Sequence, residues 1–192
     1  MKTPFYKTLI IKQKGFNLIE LLTTVIIIGI VLAIGVPSFQ QFVQKNQTIT
    51  NANNLTTALN MARSEAVKRG AQVTVLQKGG VNNVWSAGWD VFTDVNNNGT
   101  FNDDGDANLC ETGEDCLLRT YGPLPNNFTL QTGNNYANWL AYLPSGLPQG
   151  SGPFDNDTFR LCSNAADITK SRSITINTLG RPRVITGTAS CP

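Results

Sequence analysis

The sequence contains no histidine. This absence excludes histidine general bases, Ser-His-Asp triads and zinc sites with imidazole ligands. The chain also lacks the GxxxxGK[ST] motif of phosphate-binding loops and the GxSxG motif of serine hydrolases. We therefore predict that the protein is not an enzyme and that it needs no cofactor.

Net charge is low, but the charges are unevenly distributed along the chain. The formal net charge is +2, from 15 basic and 13 acidic residues. One stretch without lysine or arginine holds the acidic residues Asp90, Asp94, Asp103, Asp104, Asp106, Glu111, Glu114 and Asp115. Residues 160–192 reverse this balance, with Asp167 as their one acid and with the basic residues Arg160, Lys170, Arg172, Arg181 and Arg183. Any basic surface must therefore be local.

Cysteine is scarce, and its four positions lie in the polar half of the chain without a CxxC pattern. Four cysteines allow three pairings. We favour Cys110–Cys116, which closes a short loop, and Cys162–Cys191, which ties down the C-terminal segment. Such bridges predict an oxidising compartment, as the bacterial periplasm is.

The run from Phe16 to Val36 is almost entirely apolar, and its polar residues are Asn17, Glu20, Thr23 and Thr24. A helix of that length, at about 1.5 Å per residue, matches a hydrocarbon core of roughly 30 Å, so residues 16–36 are predicted to cross a membrane. Lysines precede the run and none follows before Lys45, which predicts a cytoplasmic N-terminus and an exported remainder.

A secretory signal peptide is the alternative, because Ala33-Ile34-Gly35 resembles a cleavage site. The length of the run and its carboxylate argue against that alternative.

Apolar residues continue beyond this run at steps of three and four, the pattern of an amphipathic helix. They are Phe39, Phe42, Ile49, Ala52, Leu55, Leu59, Ala62 and Ala66. Gly70, after Lys68 and Arg69, is predicted to end the helix. We therefore expect one helix of about 54 residues with a kink permitted at Gly35 and Pro37. Its outer half, residues 37–70, should pack on a globular domain.

The segment KGFNLIELLTTVIIIGIVLAIGVPSF resembles the class III signal and N-terminal helix of type IV pilins and type II secretion pseudopilins. The basic leader ends in Gly15, Phe16 follows, and Glu20 is the fifth residue after the leader; Asn17 stands where the family usually has threonine. The resemblance implies that a prepilin peptidase removes residues 1–15 and methylates Phe16. It also implies that Glu20 pairs in the inner membrane with the N-terminal amine of a neighbouring pilin, which offsets the cost of burying a carboxylate.

After Gly70, short runs rich in β-branched and aromatic residues alternate with turn residues, which predicts an antiparallel β domain over residues 71–192. The runs are Gln72–Gln77, Trp85–Thr93, Leu117–Tyr121, Phe128–Thr132, Trp139–Leu143, Thr158–Cys162, Arg172–Asn177 and Arg183–Thr186. The predicted fold class is α+β, with the long N-terminal helix packed on an antiparallel sheet. This is the type IV pilin-like architecture.

Two further segments, NNLTTALNMARSEAVKRGAQVTV and WSAGWDVFTDVNNNG, are similar to the FimT/GspH group of minor pilins and pseudopilins. The shared order is a helix end, a strand, a Trp-x-x-Gly-Trp strand and an Asp/Asn loop, which major pilins lack. The resemblance implies a minor subunit whose partners are other major and minor pilins. It is expected first in the bacterial inner membrane, with its domain in the periplasm, and then in a pilus or pseudopilus.

Five aromatic residues could form a platform that stacks on nucleic-acid bases. They are Trp85, Trp89, Phe92, Trp139 and Tyr142. The alternation in WDVF instead favours packing in the core of the sheet. We therefore interpret these aromatic residues as structural.

The segment DVNNNGTFNDDGD matches the first half of an EF-hand loop through Asp94, Asn96, Asn98 and Gly99. The second half fails, because Gly105 stands where the bidentate glutamate belongs; Asp103, Asp104 or Asp106 would have to substitute. A solvated turn is the favoured interpretation, and a calcium site is the alternative.

Gly180-Arg181-Pro182-Arg183 resembles the GRxR motif near the C-terminus of FimT proteins, which is linked to DNA binding in natural transformation. We predict that these arginines, supported by Lys170 and Arg172, bind phosphates of double-stranded DNA without sequence preference. The predicted function is a type IV minor pilin that aids DNA uptake. The alternative is a structural minor pseudopilin at the tip of a type II secretion filament, with solvated arginines at a β-turn.

Overall fold

The computed structural model describes residues 15–105, 108, 110, 113–163, 171–187 and 191. Its elements begin with one helix, α1 (Leu18–Arg69), which is followed by nine strands. The chain divides into two compact units, Met1–Phe42 and Val43–Pro192. Lys170, Asp106 and Glu111, which were singled out above, lie outside the described residues.

In the first unit, the described residues 15–42 are all exposed. This part of α1 is long and apolar enough to cross a membrane, and none of its apolar window is buried within the protein. The helix continues through Pro37. Gly15 and Phe16 precede the helix, and the Asn17 carbonyl accepts the first helical hydrogen bonds from the amides of Glu20 and Leu21 at 3.0 and 3.1 Å.

In the second unit, α1 buries one stripe of small and apolar residues. The stripe consists of Thr48, Ala52, Leu55, Ala58, Leu59, Ala62 and Ala66. Its small residues let the backbone of the helix approach the sheets closely. Phe39 and Phe42, which share the predicted stripe, are instead 67% and 60% exposed. Gly70 ends the helix as predicted, with a φ of 64° and its amide bonded to the Ala66 carbonyl.

The strands form two antiparallel sheets. The five-stranded sheet has the order β3-β2-β1-β5-β6, and the four-stranded sheet has the order β4-β7-β8-β9. Their bounds are β1 Val73–Gln77, β2 Trp89–Thr93, β3 Cys116–Tyr121, β4 Phe128–Gln131, β5 Trp139–Tyr142, β6 Pro148–Gly150, β7 Asp157–Ser163, β8 Arg172–Ile176 and β9 Pro182–Thr186. A 3₁₀ turn at Asn134–Tyr136 precedes β5.

One hydrophobic core joins the buried stripe of α1 to the inner faces of both sheets. Of the aromatic residues expected to be structural, Trp85, Trp89 and Tyr142 lie within this core and are at most 2% exposed. Phe92 is equally buried but lies outside this core. The indole of Trp85 donates to the Tyr136 carbonyl at 3.0 Å and packs edge-on against Phe159. Packing rather than base stacking therefore accounts for these four rings.

Most strand boundaries lie within one residue of the predicted runs, and two larger differences remain. The predicted run from Trp85 begins as a strand only at Trp89, because Gly88 has a φ of 95° and approaches the Tyr121 carbonyl too closely for any side chain. Strand β6 is covered by none of the runs predicted from the sequence. It pairs only with β5 at the edge of its sheet, where proline is tolerated.

Candidate nucleic-acid interface

The predicted DNA-binding segment follows a tight turn between β8 and β9. The Gly180 amide donates to the Asn177 carbonyl at 2.8 Å, which closes the turn. The side-chain oxygen of Asn177 accepts the Arg181 amide at 3.0 Å. Asparagine commonly makes this kind of bond to its own turn. The backbone entering the arginine segment is thus held by local hydrogen bonds.

Gly180 is required where it stands because the turn packs tightly on the rest of the fold. Its φ is 75°, and a Cβ atom there would lie 2.8 Å from the Gly146 carbonyl oxygen and 2.9 Å from the Tyr142 ring. The Tyr142 hydroxyl donates to the Gly180 carbonyl at 3.0 Å. Burial raises the pKa of Tyr142 far above its usual value, so this hydroxyl remains a donor.

The turn between β5 and β6, on which Gly180 packs, is itself tied to α1. Arg63 on the helix donates from Nε to the Gly146 carbonyl at 3.0 Å. Gly146 also lies against Val67, since a Cβ atom there would be 3.2 Å from a Val67 methyl group. A continuous series of contacts therefore runs from Arg63 through Gly146 to Gly180.

The two predicted DNA-binding arginines are both exposed. Arg183 lies in β9, the edge strand, opposite Thr175 of β8, whereas Arg181 lies one residue before the strand. Pro182 is the first residue of β9, a position that needs no ladder donor. No described ion pair involves either arginine.

Arg172, the predicted support for this pair, does not share a face with Arg183. The register pairs Arg172 with Thr186 and Arg183 with Thr175, so the two arginines point to opposite faces of the sheet. Arg172 donates from Nη1 to the Thr186 hydroxyl. Period-two alternation along β8 therefore places Arg172 on the core-facing side of the sheet, away from Arg183, and its support of DNA binding stays a prediction.

Arg160 lies on the outer face with Arg183, and the sequence analysis left it out of the site. Arg160 in β7 pairs with Ser173, and Ser173 in turn pairs with Ile185 of β9. Directly paired residues share a face, and Ile185 shares its face with Arg183 two residues earlier. The sequence alternation was present, but the strand pairing that aligns Arg160 with β9 is visible only in the fold.

The acidic loop after β2 is built around two buried carboxylates. Asp94 is 1% exposed and accepts four hydrogen bonds, from Gln72, Thr74 and the amides of Asn98 and Gly99. Asp115, also 1% exposed, accepts the amides of Val95 and Asn102 at 2.8 and 2.7 Å. These hydrogen bonds place both carboxylates in a structural role.

The remaining residues of the calcium alternative are engaged in the same way. The side-chain oxygen of Asn96 accepts the Asn98 amide, and that of Asn98 accepts the Thr100 amide. Gly99 has a φ of 76° and packs against the Trp139 ring, which explains the glycine without a metal. Since the chain's own donors occupy these oxygens, the geometry favours the turn interpretation over calcium at Asp94, Asn96 and Asn98.

A different set of carboxylates in this loop comes together at the surface. One oxygen from each of Asp103, Asp104 and Glu114 lies within 4.8 Å of the others. Asp104 is exposed and the other two are half-buried. Such exposed acidic groups are common without a metal, so the cluster alone assigns no site.

Both disulfides are present in the structure. Cys110 bonds to Cys116 at the start of β3, and Cys162 in β7 bonds to Cys191. The second bridge attaches the chain beyond β9 to the strand that carries Arg160. One bridge thus borders the acidic loop, and the other borders the arginine-bearing sheet.

Glu20 lies in the first turn of α1 and is exposed. In the part of the chain that the structure describes, its carboxylate has no hydrogen-bonding or ionic partner. A carboxylate at this position in an apolar helix requires a partner from outside the described chain if the helix enters a membrane.

Comparison with protein families shows to which family the globular part of the chain belongs. The family model for the type II transport protein GspH matches residues 51–180, which extend from α1 to the turn before Arg181. The chain belongs to the GspH family. The expected membership of the group of minor pilins and pseudopilins is thereby confirmed, whereas the finer assignment to FimT stays a prediction.

Relatives of this GspH-family chain include two groups of fimbrial proteins. A fimbrial protein of Pseudomonas aeruginosa is 41% identical over 61 residues, which cover 32% of this chain and 39% of that protein. Fimbrial protein Q of Moraxella bovis is 53% identical over 36 residues, or 19% of this chain and 23% of that protein. Each match therefore spans less than half the length of the relative.

The fold is similar to that of the type IV minor pilin FimU of Pseudomonas aeruginosa. The TM-score is 0.55 at 20% sequence identity, and the match covers 77% of this chain and 94% of FimU. At that identity the similarity shows the fold alone. It confirms the predicted architecture, a long N-terminal helix followed by antiparallel sheets.

Proposed function

We propose that the protein is a type IV minor pilin that binds double-stranded DNA non-specifically and aids DNA uptake in natural transformation. The GRPR segment carries the binding, with Arg181 and Arg183 as the residues that contact phosphates. The observation behind this proposal is the pair of exposed arginines without described ion pairs, next to a turn fixed by Gly180 and Tyr142.

Arginine suits this role because its planar guanidinium donates two hydrogen bonds to one phosphate. The fixed turn lowers the entropy that binding must remove from the segment. Few contacts predict a weak affinity, in the range of about 10⁻⁴ to 10⁻⁶ M, that falls as salt rises. Weak binding lets a filament release its cargo after retraction.

The N-terminal residues act in processing and assembly under the same proposal. A prepilin peptidase removes the leader, residues 1–15, and the new N-terminal Phe16 is methylated. Residues 16–36 hold the subunit in the bacterial inner membrane with its domain in the periplasm. Glu20, which lacks a partner in the described chain, then pairs with the N-terminal amine of a neighbouring pilin during assembly.

The test of DNA binding uses the full chain in a neutral detergent and labelled duplexes of unrelated sequences. Wild type should bind all duplexes with similar affinity. The double variant Arg181→Gln/Arg183→Gln should lose most of that binding. Arg119→Gln is the matched control, because Arg119 is exposed on β3 of the other sheet and its loss changes the charge in the same direction. No binding by wild type at low salt, or equal binding by the folded double variant, would refute the proposal.

The second candidate is a structural minor pseudopilin of a type II secretion filament. It is favoured by the family match, since the matching model is described as a type II transport protein. In this case the arginine segment would contact another subunit or solvent. Loss of secretion with unchanged DNA uptake in a deletion strain would select this candidate.

A further inference from the structure

We propose that the outer face of the four-stranded sheet is part of the DNA-binding surface, with Arg160 as a further phosphate contact. This inference rests on the proposed DNA-binding function and extends it from the GRPR segment to β7. The surface is defined by the residues that the strand register places on one side of β4, β7, β8 and β9.

The register determines which residues share that face. Arg183 pairs with Thr175, and Thr175 pairs with Thr158 of β7. Arg160 lies two residues beyond Thr158 and therefore on the same side. In the strands that the structure describes, the residues on this side are Thr129, Gln131, Thr158, Arg160, Cys162, Ser173, Thr175, Arg183 and Ile185.

The charge of this face is of one sign. Among its described residues are two arginines and no acidic residue, and the half-buried or exposed Thr129, Gln131, Thr158 and Thr175 offer hydroxyls and an amide that can also donate to phosphate oxygens. Cys162 and Ser173, on the same face, are buried and are not part of the proposed contact surface. Thr158 and Thr175 already hydrogen-bond each other at 3.0 Å across the strands. Arg160 is half-buried and, like Arg183, takes part in no described ion pair.

The inner face of the same sheet explains why the arginines are on the outside. Phe159, Leu161, Ile174 and Ile176 fill the core from that side and are at most 1% exposed. In β7 and β8, the outer residues alternate with these core residues. The orientation of Arg160 is thus fixed by core packing and does not depend on flexible loop structure.

The spacing of the arginines fits separate contacts on one DNA backbone. Arg160 and Arg183 are two strands apart and offset by two residues, so their Cα atoms lie about 12 Å apart. This distance is greater than one step along a DNA strand. Arg160 therefore reaches a different phosphate from those that Arg181 and Arg183 bind. It adds one phosphate contact to the interface.

The number of phosphate contacts can be measured from the salt dependence of the binding constant. For duplex DNA, the slope of log K against log salt changes by about 0.9 for each contact. We would measure anisotropy of a labelled duplex with the full chain in neutral detergent at several salt concentrations. Arg160→Gln should weaken binding and reduce the slope by about 0.9, whereas Arg160→Lys, which keeps the charge, should restore most of the slope.

Arg119→Gln is the matched control, since it removes the same charge from β3 of the other sheet and should leave the slope unchanged. A wild-type slope for folded Arg160→Gln, together with binding loss in Arg181→Gln/Arg183→Gln, would overturn this inference and leave the proposed function intact. Absence of wild-type binding would instead overturn the proposed function, and this inference with it. If Arg119→Gln lowered the slope as much as Arg160→Gln, the effect would come from net charge alone. This result would also overturn the inference.

Discussion

The acidic loop from Asp94 to Asp115 and the arginine segment from Asn177 to Arg183 are both rich in charge, yet they use it differently. In the acidic loop, the buried carboxylates of Asp94 and Asp115 accept hydrogen bonds from the chain itself. In the arginine segment, the guanidinium groups of Arg181 and Arg183 are exposed, and the turn is held by Asn177 and Gly180.

The difference shows when a charged motif indicates a ligand. A charge that the fold itself uses contributes to stability and is unavailable to a partner. A charge that the fold leaves exposed contributes little to stability and is available for binding. Substitutions in the acidic loop should therefore affect unfolding, and substitutions of the two arginines should affect binding. The unit from Val43 onward contains the core, so it is the fragment for unfolding measurements.

The largest expected effect comes from one of the two disulfides, which border the two regions. Cys162→Ala/Cys191→Ala should lower the free energy of unfolding by about 3.5 kcal/mol, and Cys110→Ala/Cys116→Ala by about 2.5 kcal/mol, because the first bridge closes a longer loop. Their sequence separations are 29 and 6 residues. Urea unfolding of each variant provides the comparison. The reverse order of the two effects would contradict the loop-length explanation.

Asp94→Ala should lower the free energy of unfolding by about 3 kcal/mol, because it leaves several buried donors without an acceptor. Asp155→Ala is the control, since Asp155 is exposed and should change stability by less than about 0.5 kcal/mol. Urea unfolding with and without a calcium chelator measures both effects. A large effect of the chelator on wild type would favour the calcium alternative over the hydrogen-bonded loop.

Gly180→Ala should cost about 2 kcal/mol, because the new methyl group meets Gly146 and Tyr142 at a positive φ. Gly122→Ala is the matched control, since a Cβ atom there has no neighbour within 4 Å. Thermal unfolding distinguishes the two variants. Equal stability of both would mean that the turn is not held as described.

Tyr142→Phe should cost about 1 kcal/mol at neutral pH, because it removes the hydrogen bond to Gly180. Burial raises the pKa of Tyr142 in the folded state, so the unfolded chain loses this proton first as pH rises. Its contribution is complete below about pH 10 and is lost at higher pH. Stability curves from pH 7 to 11 should therefore fall less steeply for Tyr142→Phe than for wild type. Parallel curves would contradict this account of the hydroxyl.

The sequence predicts local structure well where one residue type or one period decides it. Gly70 ends the helix, three of the five aromatic residues enter the core, and each predicted run overlaps a strand, because these follow from backbone freedom and side-chain alternation. The sequence could not predict which residues of different strands share a face, because that depends on the pairing of strands that are distant in the chain. The inward position of Arg172 and the alignment of Arg160 with β9 exist only once the register of β7, β8 and β9 is fixed.

Burial limited the prediction of the acidic loop in the same way. The partial EF-hand motif that begins at Asp94 predicts oxygen ligands for a metal ion. Whether the Asp94 oxygens are available depends on Gln72 and Thr74, which lie at β1 and donate hydrogen bonds to them. Short edge strands such as β6 are not predicted from the sequence, because their composition is that of a loop.

Under the proposed function, Arg181 and Arg183 act in DNA uptake and not in folding or filament assembly. The most direct measurement is the transformation frequency of the host bacterium carrying Arg181→Gln/Arg183→Gln at the native locus, with subunit abundance and filament number measured in the same cells. We expect transformation to fall to the level of a deletion strain while subunit abundance and filament number remain normal. Normal transformation with normal filaments would contradict it.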